Sequence, residues 1–199
     1  MFQFGGRSGG VPEWLVVGLG NPGAQYENTR HNIGFLVIDE LAERAGVPVQ
    51  RLKHKALTNT AAVGGRKALL MKPVTYMNLS GDAVADAAAF YKIPPERILV
   101  ISDDVALPPG RLRFRREGSD GGHKGLRSIE QRLGTRSYPR LKVGVGEKPH
   151  PDYEMADWVL SKFIGADKTA MEAAVRRAAD AVESALSHGL DKAMTDFNG

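Results

Sequence analysis

Trp14-Leu15-Val16-Val17-Gly18-Leu19, followed by Gly20-Asn21-Pro22-Gly23, is a short apolar run that stops at a cluster of turn formers. A run of this length, bounded this way, reads as a buried strand and a sharp turn. Outward from it, Phe35, Ile38, Leu41, Ala42 and Ala45 recur at helical spacing, and Gly46 with Pro48 ends that helix. Ala61–Val63 and Ala68–Met71 flank Gly64-Gly65, which predicts a hairpin. Ser80 is placed to cap a second helix, with Val84, Ala87, Ala88 and Tyr91 on its inner face and Pro94-Pro95 closing it. Ile98–Ile101 is a second buried strand, ending at Ser102-Asp103-Asp104. Arg111–Arg115 and Arg140–Val145 are further strands, with a short helix between them after Gly122. Met171, Val175, Ala178, Val182 and Ala185 form one stripe on a long C-terminal helix. Strands and helices interleave, so the predicted fold is α/β: a single domain with one twisted, mixed β-sheet and helices on both faces.

Composition agrees with one globular domain. The chain has 199 residues, 42% hydrophobic and 25% charged, enough to bury a core without staples. It has no cysteine, which excludes disulfides, thiolate metal ligands and a cysteine nucleophile, and suits a reducing compartment. The apolar runs fall far short of the ~18 residues that span a bilayer. Met1–Gly10 is glycine-rich and lacks the apolar region of a secretion signal. Residues 1–13 are therefore expected to be a flexible N-terminal extension, residues 14–199 the domain, and the location cytoplasmic.

Gly18-Leu19-Gly20-Asn21-Pro22-Gly23 matches the G-x-G-x-x-G of dinucleotide-binding folds, which is a weak signal alone. The residues after it argue against that use. Ala24–Asn32 is polar and irregular where an apolar helix is required, and Asp39 and Glu40 fall inside the predicted helix instead of ending a second strand. The turn nevertheless aims Asn21 from the end of a buried strand, where α/β proteins place ligands.

His31 lies at the predicted start of the first helix. An imidazole there can accept a proton from water near neutral pH, or can simply sit at the surface or cap the helix. The other four histidines make no better case, and His54, His150 and His188 read as exposed. Asp103, at the end of the second buried strand, can accept from an imidazole N–H and so fix its tautomer, or can be a turn residue. Asp103-Asp104 is a weak magnesium signal without further ligands, there is no other metal-spaced cluster, and no metal is expected. No G-x-S-x-G elbow is present, so in a hydrolase the nucleophile is water.

The net charge is a mild +4, but the cations are grouped. Arg111, Arg113 and Arg115 alternate with Leu112 and Phe114, and Arg140 and Lys142 alternate with Leu141 and Val143. On strands this puts the cations on one face, where like charges repel unless a polyanion lies across them. A solvated sheet edge is the other reading. Gly121-Gly122-His123-Lys124-Gly125 opens the short helix, either as an anion cradle of backbone N–H groups or as a loop that needs unusual backbone angles.

Five segments together resemble the bacterial-type peptidyl-tRNA hydrolases, in the family's order and spacing. They are Val17–Gly23; Tyr26 with Thr29-Arg30-His31-Asn32; Pro73 with Tyr76–Gly81; Asp103 with Leu107–Gly110; and Gly121–Leu126. The resemblance covers nearly the whole chain from Trp14. It implies a monomer with no cofactor and no obligatory protein partner. It also implies hydrolysis of the ester between a peptide and the 3′-terminal ribose of tRNA, which recycles tRNA from abandoned translation. By position, His31 matches the catalytic histidine and Asp103 the carboxylate that orients it. Asn21 matches the asparagine that contacts the peptide and rejects unblocked aminoacyl-tRNA, and Asn78 the amide that positions substrate and water. Tyr26 and Tyr76 match aromatic positions lining the site, and Arg115 and Lys142 the clamp on a tRNA phosphate. Lys124 stands where many members carry asparagine; it only donates and carries charge, so it cannot copy the amide. Lys142 replaces a usual arginine with a point charge. The rival reading is a non-catalytic RNA-binding protein on the same fold, as plant organelle splicing factors are; an oxidoreductase is a third.

Overall fold

A computed structural model describes residues 10–199; the greater part of the expected N-terminal extension, residues 1–9, lies outside the described residues. The strands are β1 (Trp14–Gly18), β2 (Arg51–Lys53), β3 (Ala56–Val63), β4 (Arg66–Pro73), β5 (Ile98–Asp104), β6 (Leu112–Arg115) and β7 (Arg140–Gly144). The helices are α1 (Ile33–Ala45), α2 (Ser80–Tyr91), α3 (Lys124–Leu133), α4 (Met155–Val159), α5 (Gly165–His188) and α6 (Leu190–Phe197). They form one mixed sheet in the order β2-β3-β4-β1-β5-β7-β6. β4, β1, β5 and β7 run parallel, while β2, β3 and β6 are antiparallel to their neighbours.

Strand alternation sorts the core into two layers. Val16, Leu70, Leu99, Ile101, Leu141 and Val143 face α1 and α5. Leu15, Val17, Leu69, Met71, Ile98 and Val100 face α2 and α3. β1 is fully covered on both sides, which is why it reads as an unbroken apolar run. Each such Val or Leu contributes about 1.5–3 kcal/mol on burial. α1 stops at Gly46, which is left-handed at φ 65° and donates to Ala42 and Glu43 carbonyls, as its sequence predicts.

β1 also marks where the connections change side. The chain leaves β1 toward β4 and later crosses back to β5 on β1's other flank. In open α/β sheets the crevice beyond the strand ends at such a point holds the ligand.

Several sequence expectations are corrected. Ser80 does not cap α2 but is its first residue, and its hydroxyl donates to Met77 O at 2.8 Å, closing the preceding short turn. Arg140 does not join the basic surface. It is fully buried, stacked 4.2 Å over Tyr138, and its guanidinium donates to Ser119 O and Arg136 O and pairs with Glu130. His54 is buried too, with Nδ1 at 2.9 Å from Asp86. β2 and α4, each too short to show a period, were not anticipated.

Candidate active site

The C-terminal ends of the parallel strands each deliver one candidate side chain. Asn21 follows β1, Asn78 follows β4, Asp103 ends β5 and Lys142 lies on β7. They border a cleft of about 1040 Å³, with His31, Tyr76 and Lys124 also on its walls.

His31 sits in a single turn just before α1, with its side chain 12% exposed. Its Nδ1 lies 2.8 Å from Asp103 Oδ1. The same oxygen lies 2.9 Å from His123 Nε2. On its other side His123 Nδ1 accepts from the N–H groups of Gly125 and Leu126, at 3.1 and 3.3 Å. A backbone N–H can only donate, so His123 Nδ1 carries no proton and Nε2–H donates to Asp103. His123 is thereby held in one tautomer as the cap of α3. His31 has no such constraint. Its Nδ1–H donates to the carboxylate, and Nε2 has no hydrogen-bond partner among the described residues.

Asp103 stays ionised. Burial works to raise its pKa, but the electrostatic pull of His31 and His123 and the hydrogen bonds they donate outweigh burial and hold it well below the usual carboxylate range. The ligand atoms of His31, Asp103 and His123 lie within 4.8 Å of one another, close enough for a metal. A metal on His123 Nε2 would force a proton onto Nδ1, against the two donors already there. The cluster suits proton transfer, not coordination. Asp104 does not add to it: its carboxylate takes Ala106 N–H at 2.9 Å and Lys142 Nζ at 3.1 Å.

Asn21 is oriented from three sides. Asn32 clasps its backbone, accepting from Asn21 N–H and donating to Asn21 O, both at 2.9 Å. Its Oδ1 accepts from Met77 N–H at 2.7 Å. The acceptor end of the amide is thus occupied, and Asn21 lines the cleft. Tyr76 supports this arrangement by adopting φ 60°, ψ 157°, a conformation costly for a bulky residue, which turns the next N–H toward Asn21.

Two sequence-nominated residues lie outside the cleft wall. Tyr26 packs edge-on against Tyr76, centroids 6.5 Å apart, and Arg115 is exposed on the edge strand β6. The glycine loop before α3 is the backbone-angle case: Gly121 and Gly122 have φ of 59° and 86°. The N–H groups of Gly122, His123, Gly125 and Leu126 bond to Asp120 and His123, which argues against the anion-cradle reading. His123, Asn32 and Arg30 were not nominated as site residues. The signal for His123 was its place beside a glycine pair at a helix start.

A histidine paired with a buried carboxylate, at the switch point of a mixed sheet and beside an open cleft, is the arrangement of an α/β protein equipped for acid–base chemistry. Comparison with known proteins gives the family. The family model described as peptidyl-tRNA hydrolase matches residues 15–199, and the chain belongs to that family. Among similar proteins, the peptidyl-tRNA hydrolase of Carboxydothermus hydrogenoformans is 49% identical over 185 residues, covering 93% of this chain and 98% of that protein. That of Agathobacter rectalis is 49% identical over 186 residues, covering 93% and 100%. The crystal structure of the Acinetobacter baumannii peptidyl-tRNA hydrolase superposes with a TM-score of 0.88 at 33% identity, covering 94% of each chain.

Proposed function

We propose that this chain hydrolyses the ester between a peptide, or an N-blocked aminoacyl group, and the 3′-terminal ribose of tRNA. The observation that carries the mechanism is the one-sided occupation of His31, with Nδ1 on Asp103 and Nε2 free. Water attacks the ester carbonyl carbon and gives a proton to His31 Nε2. Asp103, held ionised, stabilises the imidazolium. The carbon–oxygen bond to the ribose then breaks, and the departing 3′ oxygen takes the proton back. The products are the peptide acid and a tRNA with a free 3′-hydroxyl.

Asn21 supplies selectivity through Nδ2. A donor welcomes the carbonyl of a peptide or acyl block and repels a free α-ammonium, which only donates. Asn78, exposed at the cleft mouth, positions substrate and water, and Tyr76, with Tyr26 behind it, offers an aromatic surface. Lys124, exposed at the start of α3, grips a phosphate or the developing oxyanion. Arg115 and Lys142 clamp a tRNA phosphate. The chemistry needs no cofactor, and the enzyme is read as a cytoplasmic monomer. No helix among the described residues is long and apolar enough to cross a membrane. The RNA-binding rival is unsupported, since the relatives matched over nearly their whole length are described as peptidyl-tRNA hydrolases.

The test is release of N-acetyl-aminoacyl groups from tRNA by wild type and His31→Ala, with unblocked aminoacyl-tRNA alongside. The expected loss in the variant is about 10²- to 10⁴-fold in kcat. Near-normal turnover by His31→Ala would mean that another group is the base.

A further inference from the structure

Arg30, next to His31, is an arginine only 3% exposed. Nη1 donates to Ser161 Oγ at 2.7 Å and to Lys162 O at 2.8 Å, and Nη2 pairs with Asp167 at 3.1 Å. Its guanidinium lies 3.7 Å over the Trp158 ring and 5.0 Å from that of Phe163. Its own N–H donates to Ser161 O at 3.0 Å, and Thr29 forms a β-bridge with Lys162. Among the described residues, every hydrogen-bond and ring partner of this side chain therefore lies in one stretch, from α4 to the first turn of α5.

That stretch is a wall of the cleft, through Met155, Val159 and Leu160 among others. α4 cannot hold itself there. It has five residues, too few for an isolated helix, and none of them is buried. Its contacts in the fold run to the turn Arg30–Asn32, which carries His31. Trp158 completes the tie, with Nε1–H donating to Gly146 O at 2.8 Å beyond the end of β7.

We propose that Arg30 is a positioning residue for the acyl half of the substrate: it sets the α4 wall at a defined distance from the His31 base. The proposal rests on reading this cleft as the peptide site. Arg30 touches neither water nor ester, so its loss changes how the peptide is seated and leaves the proton transfer in place. A longer peptide lies along more of the wall and depends on Arg30 more than a single blocked amino acid does.

The test is steady-state hydrolysis by wild type, Arg30→Lys, Asp167→Asn and His31→Ala of two tRNA esters. One carries an N-acetyl-aminoacyl group and the other an N-acetylated tetrapeptide. Arg30→Lys keeps the charge but loses the fork and the flat stack on Trp158. Its expected effect is a rise of about tenfold in KM for the tetrapeptidyl ester and under about threefold for the short one, with kcat for both within about threefold. Asp167→Asn removes only the outer anchor and shows the same pattern, smaller; it decides alone if Arg30→Lys fails to fold. Equal KM increases for both esters, a loss confined to kcat, or no change at all overturns the proposal. His31→Ala reports on the base separately. If it keeps wild-type kcat, the base assignment falls while the Arg30 pattern is still read from KM.

Discussion

Asp103 concentrates the site's chemistry in one oxygen that receives both His31 and His123. Its pKa is depressed in the folded protein, so the folded state binds this proton less readily than the unfolded chain does. The stability it contributes is complete above the ordinary carboxylate pKa of about 4 and is lost as pH falls below that, toward its own lower value. Asp103→Asn carries no such term. In thermal melts the advantage of wild type over Asp103→Asn is expected to be largest near neutral pH and to shrink below about pH 4; a gap independent of pH would contradict the assignment. The amide also offers N–H where an imidazole N–H now donates, and it cannot stabilise an imidazolium. A kcat loss of about 10²- to 10⁴-fold is expected. His123, with its tautomer set by the α3 backbone, holds that carboxylate from the other side.

At the scale of elements, the reach of His31 depends on how deeply α1 sits on the sheet. Gly34, in its first turn, is the contact point. A Cβ added there would lie 2.4 Å from Leu19 N and 2.6 Å from Ile101 O, both backbone atoms that no rotamer change can move. Gly34→Ala must lift α1 off β1 and β5. The expected cost is about 1–3 kcal/mol, a Tm drop of several degrees, with a fall in kcat because His31 moves with the helix. Gly46, at the other end of α1, has nothing within 4 Å of its missing Cβ. Gly46→Ala is expected to cost only the left-handed backbone penalty, about 1–2 kcal/mol, with kcat unchanged. Parallel melts and turnover assays on the two variants separate stability from positioning.

At the scale of the whole molecule, a group of cations gathers on one face of the sheet at its β7–β6 edge. Arg113, Arg115 and Lys142 share a face of the β6–β7 pair, and Lys142 is partly offset by Asp104. Arg115→Ala is expected to weaken tRNA binding and to flatten the plot of log affinity against log salt by about one charge. Arg140 lies directly opposite Arg115 in the β6–β7 register, yet Arg140→Ala has a different consequence. It removes a buried cation from Glu130 and two carbonyls, so about 3 kcal/mol of stability is expected to go while the salt slope stays as in wild type. Binding titrations at several salt concentrations, beside melts of both variants, check the pair.

What the sequence determined by itself is what short-range physics writes into it. Period and turn chemistry specified the interleaved strands and helices, the buried double-sided β1, the end of α1 at Gly46, and hence a mixed sheet with helices on both faces. The strand-end rule pointed to Asn21 and Asp103, and an imidazole's titration range to His31. Only the tertiary structure decided which groups meet. His31 and His123 reach Asp103 across 72 and 20 residues of sequence, and nothing local in His123 says whether it faces solvent or a carboxylate. Arg140 and Lys142 have the same alternation and face the same side of β7. One is sealed and the other lines the cleft, because the residues around α3 cover only one end of the strand. A strand's own pattern records which face a side chain takes; what lies over that face comes from elsewhere in the chain.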